Sequence, residues 1–204
     1  MAAVAAPYGF IPVSRMGGYD NGSFRQLKVT NSYGTSIFFG DIVELVAAGT
    51  IEIDTVATSS RPIGIFQGCS FTDPNLNYKL FSQMWTGAVV STDILAHVAD
   101  DPRIVMQVQC DDTIAQTQLG LNFEVNTYAA GNTNLGKSAI SVDSTTPATT
   151  STFPLRSIDF VDGPYLDENI TDISIYSSAN TGSVTLTASA SLFVAADVGR
   201  LIRL

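Results

Sequence analysis

Short apolar segments with alternating polar positions run through most of the chain, and turn residues separate them. The clearest case is Arg103–Cys110, in which Ile104, Met106 and Val108 occupy every second position. Such alternation predicts a strand, because successive side chains of a strand point to opposite faces. Turn signals recur about every 8–12 residues, a spacing typical of sandwiches and barrels. The pattern predicts a mainly β chain folded as an antiparallel β-barrel or sandwich.

The predicted strands follow one another closely. They are Phe24–Thr30, Ser36–Val46, Thr50–Asp54, Pro62–Gln67, Trp85–Val90, Ile94–Val98, Arg103–Cys110, Leu121–Thr127, Ser138–Val142, Pro154–Val161, Ile173–Tyr176 and Ser183–Thr187. Two short helices are predicted, at Asp112–Leu119 and Ser191–Asp197, because each begins at a capping residue and is followed by a glycine. No helical pattern in the sequence is long enough to connect parallel strands.

Residues 1–23 are predicted to form an extended N-terminal arm, since prolines and glycines interrupt them repeatedly. Their apolar side chains indicate that the arm packs on a partner or on its own body. Residues 24–142 are predicted to form the main β domain. The Ser/Thr/Pro-rich stretch that begins at residue 143 separates it from a C-terminal β segment, residues 143–204, which is predicted to pack on the main domain.

The composition narrows the classes of protein that this chain can represent. Hydrophobic residues make up 45% of the chain, which is enough for a real core and argues against global disorder. The net charge of −9 argues against nucleic-acid binding, which requires basic side chains that displace phosphate counterions. No apolar run reaches 18 residues, so no membrane span is predicted.

A P-loop pattern occurs at Gly131–Ser138, which fits G-x-x-x-x-G-K-[ST]. A nucleotide site of this kind needs a helix directly after the loop, because the backbone N–H groups at the start of that helix cradle the phosphate. The sequence continues with strand-like alternation and then Pro147. A Gly/Asn-rich turn therefore explains the same residues.

Other reactive side chains form no recognisable catalytic or metal-binding constellation. His97 is the single histidine and is predicted to lie on a strand surface or at a subunit contact. Cys69 and Cys110 could form one disulfide, but no cysteine framework supports it, and both are expected to stay reduced. The sequence therefore predicts that the protein is not an enzyme and that it needs neither a metal ion nor a cofactor.

Two acidic or aromatic clusters have simple structural explanations. Asp159, Asp162, Asp167, Glu168 and Asp172 do not match the spacing of an EF-hand, and a solvated acidic loop is expected there. A second group contains Trp85 with Tyr78, Phe81 and Met84 close by, and Trp85 is predicted to be a core residue.

Several segments resemble virion proteins of tailed bacteriophages, of the capsid decoration (cement) type. They occur in the order found in that family and run from residue 7 to about 172. The segments are Pro7–Val13, Tyr33–Val43, Pro62–Pro74, Val98–Pro102 with Val105–Gln109, Gly120–Asn122, and Phe153–Arg156 with Phe160–Asp162. The tail, Gly182–Ala190 with Val198–Ile202, is similar to segments of phage tail proteins.

The resemblance implies a non-enzymatic protein that is made in the host cytoplasm and binds the outer surface of the capsid. Its expected partners are the major capsid protein and further copies of itself, with a trimer as the expected oligomer. Nucleic acid and membrane are not expected partners.

The candidate contacts to the capsid or to another subunit lie near the N-terminus. The apolar candidates are Tyr8, Phe10, Ile11 and Val13, and Arg15 and Arg25 are expected to pair with acidic groups. Other virion roles remain open: a minor capsid protein, a head–tail joining protein, or a tail module that binds a host glycan through exposed aromatic platforms.

Overall fold

The computed structural model describes residues 6–19, 22–55, 61–126, 130–151 and 153–161, and the backbone of residues 175–177 and 186–188. The chain divides into two compact units, Met1–Phe160 and Val161–Leu204. The strands are β1 (Ile11–Arg15), β2 (Gly18–Tyr19), β3 (Arg25–Lys28), β4 (Ile42–Leu45), β5 (Ile51–Ile53), β6 (Pro62–Thr72), β7 (Lys79–Ser82), β8 (Leu95–Ala99), β9 (Ile104–Gln107), β10 (Asn122–Phe123), β11 (Leu155–Arg156), β12 (Ile175–Ser177) and β13 (Leu186–Ala188). The prediction of a mainly β chain with antiparallel pairing is confirmed.

The largest sheet of the first unit has the strand order β3-β8-β6-β4-β5. The long strand β6 organises it, since β8 lies along one side and β4 pairs with its first half on the other. Strand β7 pairs with the last four residues of β6. Smaller antiparallel sheets join β2-β1-β9 and β10-β11, and in the second unit β12 pairs with β13.

One face of the large sheet covers the first hydrophobic cluster. Trp85 lies at its centre and is completely buried, which confirms the prediction that it is a core residue. The ring of Phe71 meets Trp85 edge to face, with 5.4 Å between the ring centroids. The indole N–H of Trp85 donates to the Tyr33 carbonyl at 3.1 Å, so the one polar atom of this large side chain has a partner.

The second hydrophobic cluster lies on the opposite face of β4 and β6. Ile42 and Ile65 are directly paired and both point into it, and Phe10, Phe123 and Ile140 cover them. Strand β6 therefore contributes to both clusters, because its neighbouring residues Ile65 and Phe66 point to opposite faces and both are buried.

Several predicted strands are wrong in extent. Leu121–Thr127 and Pro154–Val161 contain only the two-residue strands β10 and β11. Ser36–Val46 turns at Gly40, where φ is +91°, so only Ile42–Leu45 is a strand. Trp85–Val90 forms a single bridge, from Trp85 to Ile37, because the left-handed backbone at Gly87 and Ala88 ends the extended conformation. In the predicted strand Ser138–Val142, Val142 alone forms bridges.

The predicted helix Asp112–Leu119 is also wrong, since only Gln116–Gln118 is helical and it is one 3₁₀ turn. Thr113, Ile114 and Thr117 are β-branched and lower the helix propensity of so short a segment. Ile114 packs against the second cluster instead. The other predicted helix, Ser191–Asp197, lies outside the described residues.

Three strands were not predicted at all. Strands β1 and β2 lie in the segment predicted to be an irregular arm, and β1 pairs with β2 and with β9, with a register shift between Pro12 and Ser14. Strand β7 is the third, and Leu80 from it packs against the first cluster.

Replacement of Phe10 by alanine is expected to destabilise the first unit by about 3–5 kcal/mol, since Phe10 is 1% exposed within the second cluster. Replacement of Val13, which lies three residues later and is 49% exposed, should change stability by no more than about 0.5 kcal/mol. Urea unfolding of both variants measures the difference. Equal stability of the two variants would show that Phe10 leaves the core in solution.

Candidate functional site

The predicted contact residues of the N-terminal segment differ in how accessible they are. Phe10 is buried in the second cluster, and Tyr8 and Ile11 are half-buried. Val13 is 49% exposed, and Met16, at the turn between β1 and β2, is 63% exposed. Phe10 therefore attaches the segment to the body, whereas Val13 and Met16 present apolar side chains to solvent.

The two candidate arginines meet the same acidic turn, which connects β8 to β9. Arg15 pairs with Asp101, and the Arg25 Nε lies 2.7 Å from an Asp100 carboxylate oxygen. The N–H of Arg103 and the Arg15 guanidinium lower the pKa of Asp101. The turn thus connects the β1–β2 hairpin and β3 to the body through two neighbouring carboxylates.

A close backbone contact holds the beginning of the N-terminal segment. The N–H of Phe10 donates to the carbonyl of Gly40 at 2.9 Å. Gly9 adopts φ +78°, and a Cβ there would lie 2.5 Å from the Cβ of Ser138. Only glycine fits such a conformation and such a gap without strain.

Asp41 follows this contact and is fully buried. One carboxylate oxygen, Oδ2, accepts the N–H of Phe38 at 2.8 Å, whereas Oδ1 has no hydrogen-bond partner among the described residues. Burial raises the pKa of Asp41 to about 6, although the Ser138 hydroxyl and the Phe38 N–H lower it. Burial therefore favours the neutral form of this carboxyl group more than water does.

The outer face of β3, β8, β6 and β7 is the second candidate surface. Cross-strand partners share a face, so Ser70 lies beside Phe81 and also beside Leu95. Residues with the opposite orientation, such as Cys69 and Leu80, contact the first cluster. Phe81 is 78% exposed, the largest value among the exposed large hydrophobic side chains of the described residues.

A β-bulge interrupts this outer face. Phe66 pairs with Val98 and Gly68 pairs with His97, so Gln67 is the extra residue between them. Gly68 adopts φ +132°, and a Cβ there would lie 2.9 Å from the carbonyl oxygen of Ser82.

The bulge borders an open cavity of about 340 Å³. The residues that line it include Phe39, Gln67, Gly68, Phe81, Gln83 and His97. The Gln67 Nε2 is buried and has no hydrogen-bond partner among the described residues. The cavity therefore combines an exposed aromatic ring with polar side chains.

Asp93 fixes the position of β7 next to this cavity. It accepts hydrogen bonds from the N–H and the hydroxyl of Thr72, both at 2.8 Å, and from the Ser91 hydroxyl at 2.7 Å. Its carboxylate also lies 3.7 Å from the Lys79 Nζ. These contacts, led by the Thr72 N–H, hold the pKa of Asp93 far below its usual range. The acid thereby connects β7 to the end of β6.

The P-loop pattern forms a tight turn. Asn132 bridges Lys137, and its side-chain oxygen accepts the N–H groups of Asn134 and Leu135 at 2.9 and 3.2 Å. The backbone donors that a phosphate would need are thus used within the turn.

The remaining sequence candidates lie in different parts of the first unit. His97 is half-buried on β8, and both cysteines are free thiols. Cys69 belongs to the first cluster, whereas Cys110 packs against the second. In the acidic group, Asp159 is exposed, and Asp162, Asp167, Glu168 and Asp172 lie outside the described residues.

Sequence reasoning missed the cavity, although part of it had a signal. Leu80 and Phe81 are adjacent apolar residues, and neighbouring side chains of a strand point to opposite faces, so a buried Leu80 would place Phe81 on the opposite face. The bulge at Gln67 also had a signal, since Gly68 follows it directly and an isolated glycine within a strand pattern indicates a bulge or a close backbone approach.

Raising the pH from about 4 to about 7 is expected to destabilise the first unit by roughly 3 kcal/mol through Asp41. The folded pKa of about 6 exceeds the unfolded value of 3.8, so the folded state binds more protons in this window and loses stability as the pH rises. Urea unfolding at several pH values in this range measures the slope of the free energy of unfolding against pH. Asp41→Asn should remove most of this slope.

Glu44→Gln is the matched control, because the pKa of Glu44 is raised in the same direction but its side chain is only partly buried. It should change the slope much less than Asp41→Asn. A slope that persists in Asp41→Asn would assign the pH dependence to another group.

Two searches within the described part of the chain have negative results. It contains no helix long and apolar enough to cross a membrane, and no group of three or more His, Cys, Asp or Glu side chains placed to hold a metal ion. In comparisons with known proteins, no family model, curated protein or solved structure matches the chain.

Proposed function

We propose that this protein is a non-enzymatic decoration (cement) protein that binds the outer capsid surface of a tailed bacteriophage and stabilises the head. The resemblance that runs from residue 7 to about 172 supports this role. The observation that carries it is the β1–β2 hairpin, on which Val13 and Met16 are exposed while Phe10 is buried in the body. Apolar groups on a fastened strand lose little conformational freedom when they bind a partner.

The proposed partner is the major capsid protein. A decoration protein that bridges neighbouring capsomers adds interface area, and its many copies act together as multivalent staples. A closed trimer at local threefold positions is the proposed oligomer, because a cyclic assembly presents the same hairpin to each neighbouring capsomer.

The proposed fold of the body is a small barrel. Its support is a bridge between Val29, which follows β3, and Ile51 at the start of β5, the strand at the other end of the sheet. The hydroxyls of Thr30 and Thr50 lie 2.7 Å apart beside that bridge. Closure would leave no edge on which other chains could aggregate.

The N-terminal arm is proposed to act through its hairpin. Arg15 and Arg25 already pair with Asp101 and Asp100, so they hold the hairpin and β3 in position. They would bind acidic capsid groups only by exchanging these partners. The apolar side chains of Val13 and Met16 need no such exchange and are the proposed first contacts.

Replacement of both Val13 and Met16 by serine is expected to abolish or strongly weaken capsid binding and to change stability by only about 0.5 kcal/mol per residue. Co-sedimentation of the purified protein with undecorated capsids measures the binding. Deletion of residues 1–20 is a less specific test, because it also removes Phe10 and β1.

Leu135→Ser is the matched control, because Leu135 is 62% exposed on a different turn. It should bind capsids like the unmodified protein. Unchanged binding of the Val13/Met16 variant would reject the hairpin as the contact. Cryo-microscopy of the virion tests the role itself, and density for this chain only at the tail or portal would reject the decoration function.

A further inference from the structure

We propose that the cavity beside the β6 bulge binds one neutral ring of a saccharide, a function separate from capsid binding. Its volume of about 340 Å³ suits a small ligand and lies at the lower end of the range for ligand pockets. The cavity is open to solvent along Phe81, so a ring that belongs to a longer glycan could enter while the rest of the glycan stays outside.

Phe81 supplies the apolar wall of the site. Its ring is 78% exposed although it lies on β7, which pairs with β6 over four residues. Exposure of a large aromatic ring to water is unfavourable. Such a ring therefore indicates a binding surface more strongly than an exposed small apolar side chain does. The flat C–H face of a sugar ring can cover it without burying any charge.

Gln67 supplies a hydrogen-bond donor that has no use within the described part of the fold. Its Nε2 is buried and unpartnered beside the cavity, which is costly unless a ligand oxygen accepts its hydrogen bond. The bulge places the residue there, and bulges often re-aim side chains near functional sites.

The remaining polar groups favour a neutral ligand. Gln83 and His97 offer both donors and acceptors, as sugar hydroxyls do. No Asp, Glu, Lys or Arg is among the described residues that line the cavity, so it offers no carboxylate, ammonium or guanidinium group to a charged ligand. A peptide is less suitable, since its polar groups form a regular row, whereas the polar side chains here line one cavity together with Phe39 and Phe81.

Two-dimensional NMR of the isotope-labelled full chain tests the proposal without any capsid. The probes are the methyl glycosides of glucose, galactose, mannose and N-acetylglucosamine, each titrated to saturation or to its solubility limit. We expect at least one glycoside to shift the side-chain signals of Gln67, Gln83 and His97. The linear polyol sorbitol, which has hydroxyls but no ring face, should shift none of them.

Phe81→Ala and Gln67→Leu should each weaken that binding by roughly three- to tenfold or more, in line with the loss of one aromatic contact or one hydrogen bond. Tyr78→Ala is the matched control, because Tyr78 is 53% exposed and does not line the cavity. It should leave the affinity unchanged.

Three results would overturn the proposal: no shift with any of the four glycosides, equal shifts with sorbitol, or unaltered affinity in Phe81→Ala and Gln67→Leu. Loss of capsid binding in Phe81→Ala without any glycoside response would assign the surface to a protein partner instead. Because capsid binding is measured separately, failure of one function leaves the other intact.

Discussion

The burial of β6 on both faces is the constraint on which the first unit depends. Ile65 points into the second hydrophobic cluster and Phe66 into the first, and β8, β4 and β7 all pair with this one strand. A shift of its register by one residue would exchange the two sets of side chains and empty both clusters. The bulge at Gln67 is tolerated because it changes the register in the middle of the strand while Cys69 and Phe71 still face the first cluster.

The same arrangement explains how the N-terminal segment is attached. Gly40 donates to Phe66 on β6 and accepts from Phe10, so a single turn connects the segment to the central strand. Asp41, the next residue, is buried at this junction with one carboxylate oxygen unpartnered. The arginine pairs with Asp100 and Asp101 add connections at the surface, where exposed ion pairs contribute little free energy. The apolar contact of Phe10 therefore dominates the attachment.

The two proposed functional surfaces arise in different ways. The hairpin presents Val13 because this is the one exposed residue of β1, and it presents Met16 because that residue lies in the turn after the strand. The cavity on the outer face lies beside β7 because the second cluster covers Ile42 and Ile65 but contains no residue of β7. A capsid contact through the first surface leaves the second available for a different ligand.

The sequence by itself determined that the chain is mainly β and that Trp85 is a core residue, because alternation and side-chain size are local properties that do not depend on which strands pair. It also indicated that the apolar side chains near the N-terminus have a packing partner. Only the tertiary structure decided that Phe10 packs on its own body, that Arg15 and Arg25 meet neighbouring acids, and that Phe81 faces solvent. These outcomes depend on which strands pair and where a bulge shifts their register, and such long-range choices leave no periodic signal in the chain.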